Sequence, residues 1–190
     1  MKSRGVCTIL VVLVLGCAAG TANSRQAADE HTAPAPPWEG SELSRDQVPK
    51  VLIDQWQKAE NRRNCAPLGF ASLGTDSRAV PRAARFAGGW AVAWDLPDGP
   101  GSAASGEYCD SCGRGAFGIA GTGVEPTPDT YDDWEYQETF SDGSRIGYGP
   151  REQQWLAYLQ IAGQRCLYNI WSYRGREHLE GLIDELRMVH

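Results

Sequence analysis

The chain has 190 residues and a formal net charge of −6 at pH 7. With a leader and a linker set aside, about 145 residues remain, the size of one ordinary domain, and 7 Trp with 7 Tyr supply bulky core filling. No long basic run occurs, so nucleic-acid binding is not indicated, and the acidity points to a well-solvated surface.

The N-terminus reads as an address. Lys2 and Arg4 precede an apolar run, Val6 to Leu15, interrupted only by Cys7 and Thr8. The run is well short of the roughly 20 residues that span a bilayer, but it suits the apolar core of a secretory signal. Val14-Leu15-Gly16-Cys17 follows. It resembles the lipobox of bacterial lipoproteins, and the resemblance covers only the first 17 residues. It implies a signal peptide over 1–16, a lipidated Cys17 as the mature N-terminus, and membrane attachment in the cell envelope. Ala18 in place of Asp would, by that family's sorting rule, favour the outer membrane. Durable anchoring then requires more than one acyl chain. The rival reading is cleavage after Ala22, which would release a soluble secreted or periplasmic protein.

Residues 17–43 read as a flexible tether, rich in Ala, Ser, Thr and the run Ala33-Pro34-Ala35-Pro36-Pro37. The folded domain is expected over 44–190. Its first element is a helix from about Gln47 to Arg62, with Asp46 as N-cap, Pro49 in the first turn, and Val48, Val51, Leu52, Trp56 and Ala59 on one face. Cys65 follows.

The middle reads as strands. Pro67 to Leu73 is short and apolar. In Arg85 to Asp95 the period is two: Phe86, Gly88, Trp90, Val92 and Trp94 point one way and Ala87, Gly89, Ala91 and Ala93 the other. The small-residue face invites a closely packed helix, as in a central strand. Leu96 to Gly106 is a loop, and Ala116 to Ala120 is another short strand. Gly121 to Asp133 is an acidic loop.

Two hairpins come next. Trp134 to Phe140 turns at Ser141-Asp142-Gly143. With Gly143 left-handed, Tyr136 pairs with Tyr148 and Glu138 with Ile146. Trp155 to Ala162 turns at Gly163-Gln164, so Ile161 pairs with Cys166, Leu159 with Tyr168 and Ala157 with Ile170. Leu156, Tyr158, Leu167 and Trp171 then share the opposite face. A last helix is expected over Arg174 to Met188, with Leu179, Leu182, Ile183 and Leu186 as its stripe. The expected fold is α+β: an antiparallel sheet of five to seven strands, flanked by an N-terminal and a C-terminal helix in two layers.

Beyond Cys7 and Cys17, Cys65, Cys109, Cys112 and Cys166 remain. An even set in an oxidising compartment reads as two disulfides with three formal pairings; Cys65–Cys166 with Cys109–Cys112 is the pairing preferred. Cys109-Asp-Ser-Cys112 also has redox-motif spacing, but Gly113 and Gly115 start a helix poorly and no βαβ pattern surrounds it. One such pair with two isolated cysteines is weak for zinc.

Hydrolytic chemistry has little to stand on. The three histidines are His31 in the tether, the terminal His190, and His178 on the last helix, read as structural or superficial. No G-x-S-x-G occurs. Glu125, Asp129, Asp132, Asp133, Glu135 and Glu138 crowd one region, which suits calcium or glycoside chemistry only if they converge; a solvated acidic loop is the preferred reading. No metal or cofactor is therefore expected. The strand aromatics Tyr136, Tyr148, Tyr158 and Trp171 suggest instead an exposed platform for a protein or cell-wall glycan. The expected function is thus a non-enzymatic binding, inhibitor or immunity-type module held at the membrane. The alternatives are a thiol–disulfide protein using Cys109–Cys112, or a carboxylate-based enzyme.

Overall fold

The computed structural model describes residues 33–85, 88–97 and 116–190. Cys17, Cys109 and Cys112, with the readings placed on them, lie outside the described residues.

Packing begins before residue 44, earlier than the tether reading expects. Trp38 is 3% exposed. Its indole N–H donates to Asp142 Oδ2 at 3.2 Å, and its ring meets Phe140 edge-on at 4.9 Å. A large aromatic placed next to a proline run has found a pocket, so the ordered chain takes in part of the segment that composition alone marks as linker.

The first helix, α1 (Lys50–Lys58), is shorter than expected at both ends. Pro49 takes the N-cap position with extended backbone (φ −57°, ψ 132°). A residue before proline is driven out of helical space, so Val48 cannot join the helix. The Asp46 side chain is turned to the Ser44 hydroxyl instead of capping. At the other end Ala59 is already extended. The apolar face survives: Leu52 and Ile53 are buried and Val51 and Trp56 pack against the core.

Among the described residues there are nine strands: β1 (Leu68–Phe70), β2 (Val80–Ala83), β3 (Trp90–Asp95), β4 (Phe117–Thr122), β5 (Tyr136–Thr139), β6 (Arg145–Arg151), β7 (Gln154–Gln160), β8 (Leu167–Ser172) and β9 (Leu186–Met188), with α2 (Arg176–Asp184) before the last; β2 and β9 fall where no strand is expected. Seven form one antiparallel sheet in the order β2-β3-β4-β8-β7-β6-β5. It consists of two meanders, β2 to β4 and β5 to β8, which meet where β4 pairs with β8. Both expected hairpin registers are present. Tyr136 faces Tyr148 and Glu138 faces Ile146, with Gly143 at φ 87°. Leu159 faces Tyr168 and Ala157 faces Ile170.

The last helix stops at Asp184, short of the expected Met188. Leu186 leaves it to enter β9, where Leu186 pairs with Phe70 and Met188 with Leu68. A short strand with no neighbour would leave its backbone groups unpaired, and β1 supplies that neighbour. Leu43 extends the ribbon by an isolated parallel bridge to Val189.

The two faces of the sheet are built differently. On one, Trp90, Val92, Trp94, Phe117, Ile119, Tyr168 and Ile170 join the core beneath the helices, with α1 against β3 and α2 against β8 and β7. On the other, Ala91, Ala93 and Ala120 form a shallow floor with Trp171. That small-residue floor receives an indole, not the helix expected there. A side chain at Gly118 would run into the Trp171 ring, so glycine is required for the ring to lie flat across β4. Moreover, β3 is second from the edge of the sheet, not central.

Cys65 and Cys166 are bonded, with Cα atoms 5.1 Å apart and no exposed surface on either residue. The bond ties the segment after α1 to the start of β8. Among the described residues no helix is long and apolar enough to cross a membrane.

Candidate functional site

The topology leaves β4 and β5 on different sides of the sheet, so residues 123–135 must travel across to the far edge. Tyr131 and Trp134 lie on the face opposite the helices, against Arg145 and Tyr158. Trp134, near the end of the crossing, lies on Gly147 of β6, where an added Cβ would come within 2.6 Å of its ring. Between this segment, the β6–β7 turn and Tyr173 lies a cavity of about 640 Å³.

Its apolar wall is formed by Leu156, Tyr158, Tyr173 and Trp134. Trp134 is itself well buried and rigidly held. Its N–H donates to Thr130 O at 2.9 Å, its ring meets Tyr158 edge-on at 4.9 Å, and the Arg151 guanidinium covers it at 4.1 Å. Arg151 also donates to Asp133 O at 3.2 Å. The 3-10 turn Pro128–Tyr131 is fixed by a capping box between Thr127 and Thr130. Burial pushes the Tyr131 hydroxyl up to about 12, against the Arg145 guanidinium over its ring, which acts the other way. The wall is therefore in place before anything binds.

The polar lining is asymmetric. Asp129, Asp133 and Glu152 face a single cation, Arg151, so the cavity disfavours anions. Gln154 is buried at the wall, and its amide oxygen has no hydrogen-bond partner among the described residues. Such an orphan acceptor costs about 1–3 kcal/mol. Glu152, in the β6–β7 turn, has φ 55° without being glycine, a strained conformation of the kind that recurs at binding sites.

The four rings expected to form one platform do not share a face. Tyr136 and Tyr148 lie on the helix side, stacked at 5.1 Å. Arg176 covers Tyr136 at 4.0 Å, and the Tyr148 hydroxyl donates to Glu180 at 2.9 Å. Burial and that bond push Tyr148 up to about 12. Tyr158 and Trp171 lie on the opposite side, where Trp171 is 1% exposed. Of the four, Tyr158 alone lines the cavity. Among the crowded carboxylates, Asp129 and Asp133 reach the cavity, while Glu125 contacts Arg165 at 3.5 Å. No group of three or more metal-ligating side chains occurs among the described residues.

His178 does not line this cavity. Its Nδ1 is hydrogen-bonded to Ser172 Oγ and its Nε2 to Asp76 Oδ2, both at 2.8 Å. Asp76 also holds Arg174. A carboxylate only accepts, so Nε2 carries the proton and Nδ1 accepts from the Ser172 hydroxyl. That hydroxyl in turn accepts the Arg174 N–H at 2.9 Å. The connectivity resembles a serine–histidine–acid relay, but Ser172 has no exposed surface and no electrophile can reach it. The network instead braces the turn Gly74–Asp76 against β8 and α2. Nothing local reveals it, because Asp76 and His178 are 102 residues apart.

Burial lowers the His178 pKa and outweighs the Asp76 carboxylate, which acts the other way. The unfolded chain thus takes up the proton more readily. The stability from neutral His178 is complete above about pH 6.5 and is lost as pH falls through the lower folded value. Denaturant titrations at pH 7.5 and pH 5 should show this loss in the native chain, and His178→Gln should flatten the dependence. An unchanged slope in the variant would assign the acid sensitivity to other groups.

No family model matches the chain, and comparison with curated proteins and with solved structures finds no match.

Proposed function

We propose that the domain is a non-enzymatic recognition module that binds an uncharged or amino-bearing glycan of the cell envelope in the cavity beside Trp134, and that Cys17 holds it at the membrane. The lipobox-like N-terminus supports the location. The observation that carries the binding reading is the pairing of half-exposed rings, Tyr158 and Tyr173, with carboxylates and amides in one concave cavity. Aromatic faces pack on the C–H faces of sugar rings, while Asp129 and Asp133 offer acceptors for hydroxyl donors. The cavity's size falls within the 300–1,000 Å³ typical of small-ligand sites. A protein partner would be expected to use a flatter and larger surface.

Calorimetric titration of the full chain with N-acetylated sugar oligomers tests the reading. Saturable binding is expected. Tyr158→Ala or Tyr173→Ala should weaken it tenfold or more, about 1.4 kcal/mol, with the circular dichroism spectrum retained. No saturation with any glycan, or affinity indifferent to both tyrosines, would end the proposal. Capture of a protein through this face, unaffected by glycan, would replace it.

A further inference from the structure

A second cavity, of about 510 Å³, has the opposite character. It lies between the start and end of the α1 region, the β7–β8 turn and the C-terminus. Arg45, Arg62, Arg63 and Arg165 line it with His190 and Trp56. Among the described residues, no aspartate or glutamate lines it. We propose that this cavity is a binding site for a phosphate ester, and it is independent of the glycan cavity.

Three observations carry the assignment. The first is charge. In a chain of net −6, four arginines line one cavity, where like-charge repulsion opposes their gathering. Arg45, Arg62 and Arg63 have no ion pair among the described residues, and the acids that pair with the lining make only long contacts, Glu125 to Arg165 at 3.5 Å and Glu42 to His190 at 3.4 Å. The second is rigidity. The Cys65–Cys166 bond lies directly behind the site and fixes the Arg62-Arg63-Asn64 segment against the Arg165 turn. The Trp56 N–H donates to Cys65 O at 2.9 Å, and Ala66 N–H donates to Gln164 Oε1 at 3.0 Å. The long arginine stems therefore rise from a fixed floor.

The third is ligand shape. Guanidinium forks match phosphate oxygens two at a time. The cavity is larger than one phosphate needs, and the Trp56 ring, with Arg45 over it at 5.7 Å, provides a surface for the carbon body of an ester. A phosphate carried on a glycerol or sugar meets both requirements, whether free or as a lipid headgroup.

The full chain should be titrated with glycerol 3-phosphate, inorganic phosphate and chloride at constant ionic strength, following the Trp56 indole N–H resonance. Saturable shifts with the ester, weaker ones with inorganic phosphate and none with chloride are expected. Arg62→Ala with Arg63→Ala should lower ester affinity at least tenfold. Arg63→Lys should lower it less, because charge is kept and the fork is lost. Tyr158→Ala should leave it unchanged. Vesicles of phosphatidylglycerol against phosphatidylcholine separate headgroup from free ester. Absence of saturation in both arms would overturn the site, as would binding indifferent to the arginine and lysine variants or equal response to chloride.

Discussion

Removing the Cys65–Cys166 bond is expected to lower stability by about 4–5 kcal/mol. The bonded residues are 101 positions apart, and cross-linking a loop of that length removes about 4.7 kcal/mol of denatured-chain entropy. A domain of this size holds only about 5–15 kcal/mol in all, so the bond accounts for a large share. Both cysteines are fully buried, which shields the bond from reductant until the region opens. Reduction in native buffer should thus be slow and should accelerate with urea in step with unfolding. The measurement is a urea titration of the oxidised chain, the reduced chain and Cys65→Ala/Cys166→Ala. The reduced chain isolates the constraint, since the alanines also leave a cavity. A loss below about 1 kcal/mol would mean that the denatured chain is already compact around this closure. The phosphate-ester site adds a second readout: its affinity should fall in the reduced chain even where the fold persists.

Much of this fold is legible locally, and the limit of legibility has a physical cause. A hairpin carries its register in its own turn. Gly143 at φ 87° pairs Tyr136 with Tyr148, and the Gly163-Gln164 turn pairs Leu159 with Tyr168. Face parity is therefore secure within each hairpin, but it does not pass between hairpins unless the intervening turn can be read. The β6–β7 turn carries Glu152 at φ 55°, where no glycine or asparagine announces it. Pro150 inside β6 further hides the continuity of the strand. Without that register nothing indicates that Tyr148 faces Ala157, which places it on the side opposite Tyr158. The platform reading divides for this reason. Leu186 is ambiguous in another way: it completes both the helical stripe and the strand alternation, and its pairing with Phe70 depends on a segment over a hundred residues away. The Arg-lined cavity draws on segments as remote as these, and the Trp134 cavity on separate segments between Asp129 and Tyr173, so their residues could be suspected by type, as Tyr158 was, but not assembled.

Trp171→Ala is expected to cost about 3–5 kcal/mol, the range for truncating a buried tryptophan. Trp171 is 1% exposed and packs with Ala91, Ala93 and Ala120, side chains too short to fill the space it would vacate. Gly118 offers a sharper test of the packing. An added methyl there would meet two obstacles, the Trp171 ring and the Val92 carbonyl oxygen. Gly118→Ala should therefore be strongly destabilising in the native chain and less so in the Trp171→Ala background, where only the backbone obstacle remains. The two losses should fall short of adding, as expected for residues in contact. Trp171→Phe keeps most of the ring and should bind glycan as the native chain does, whereas Tyr158→Ala should not. If Trp171→Ala instead unfolds at the native denaturant midpoint, the indole is not a core element, and the second face of the sheet is open to a partner over a wider area than the Trp134 cavity.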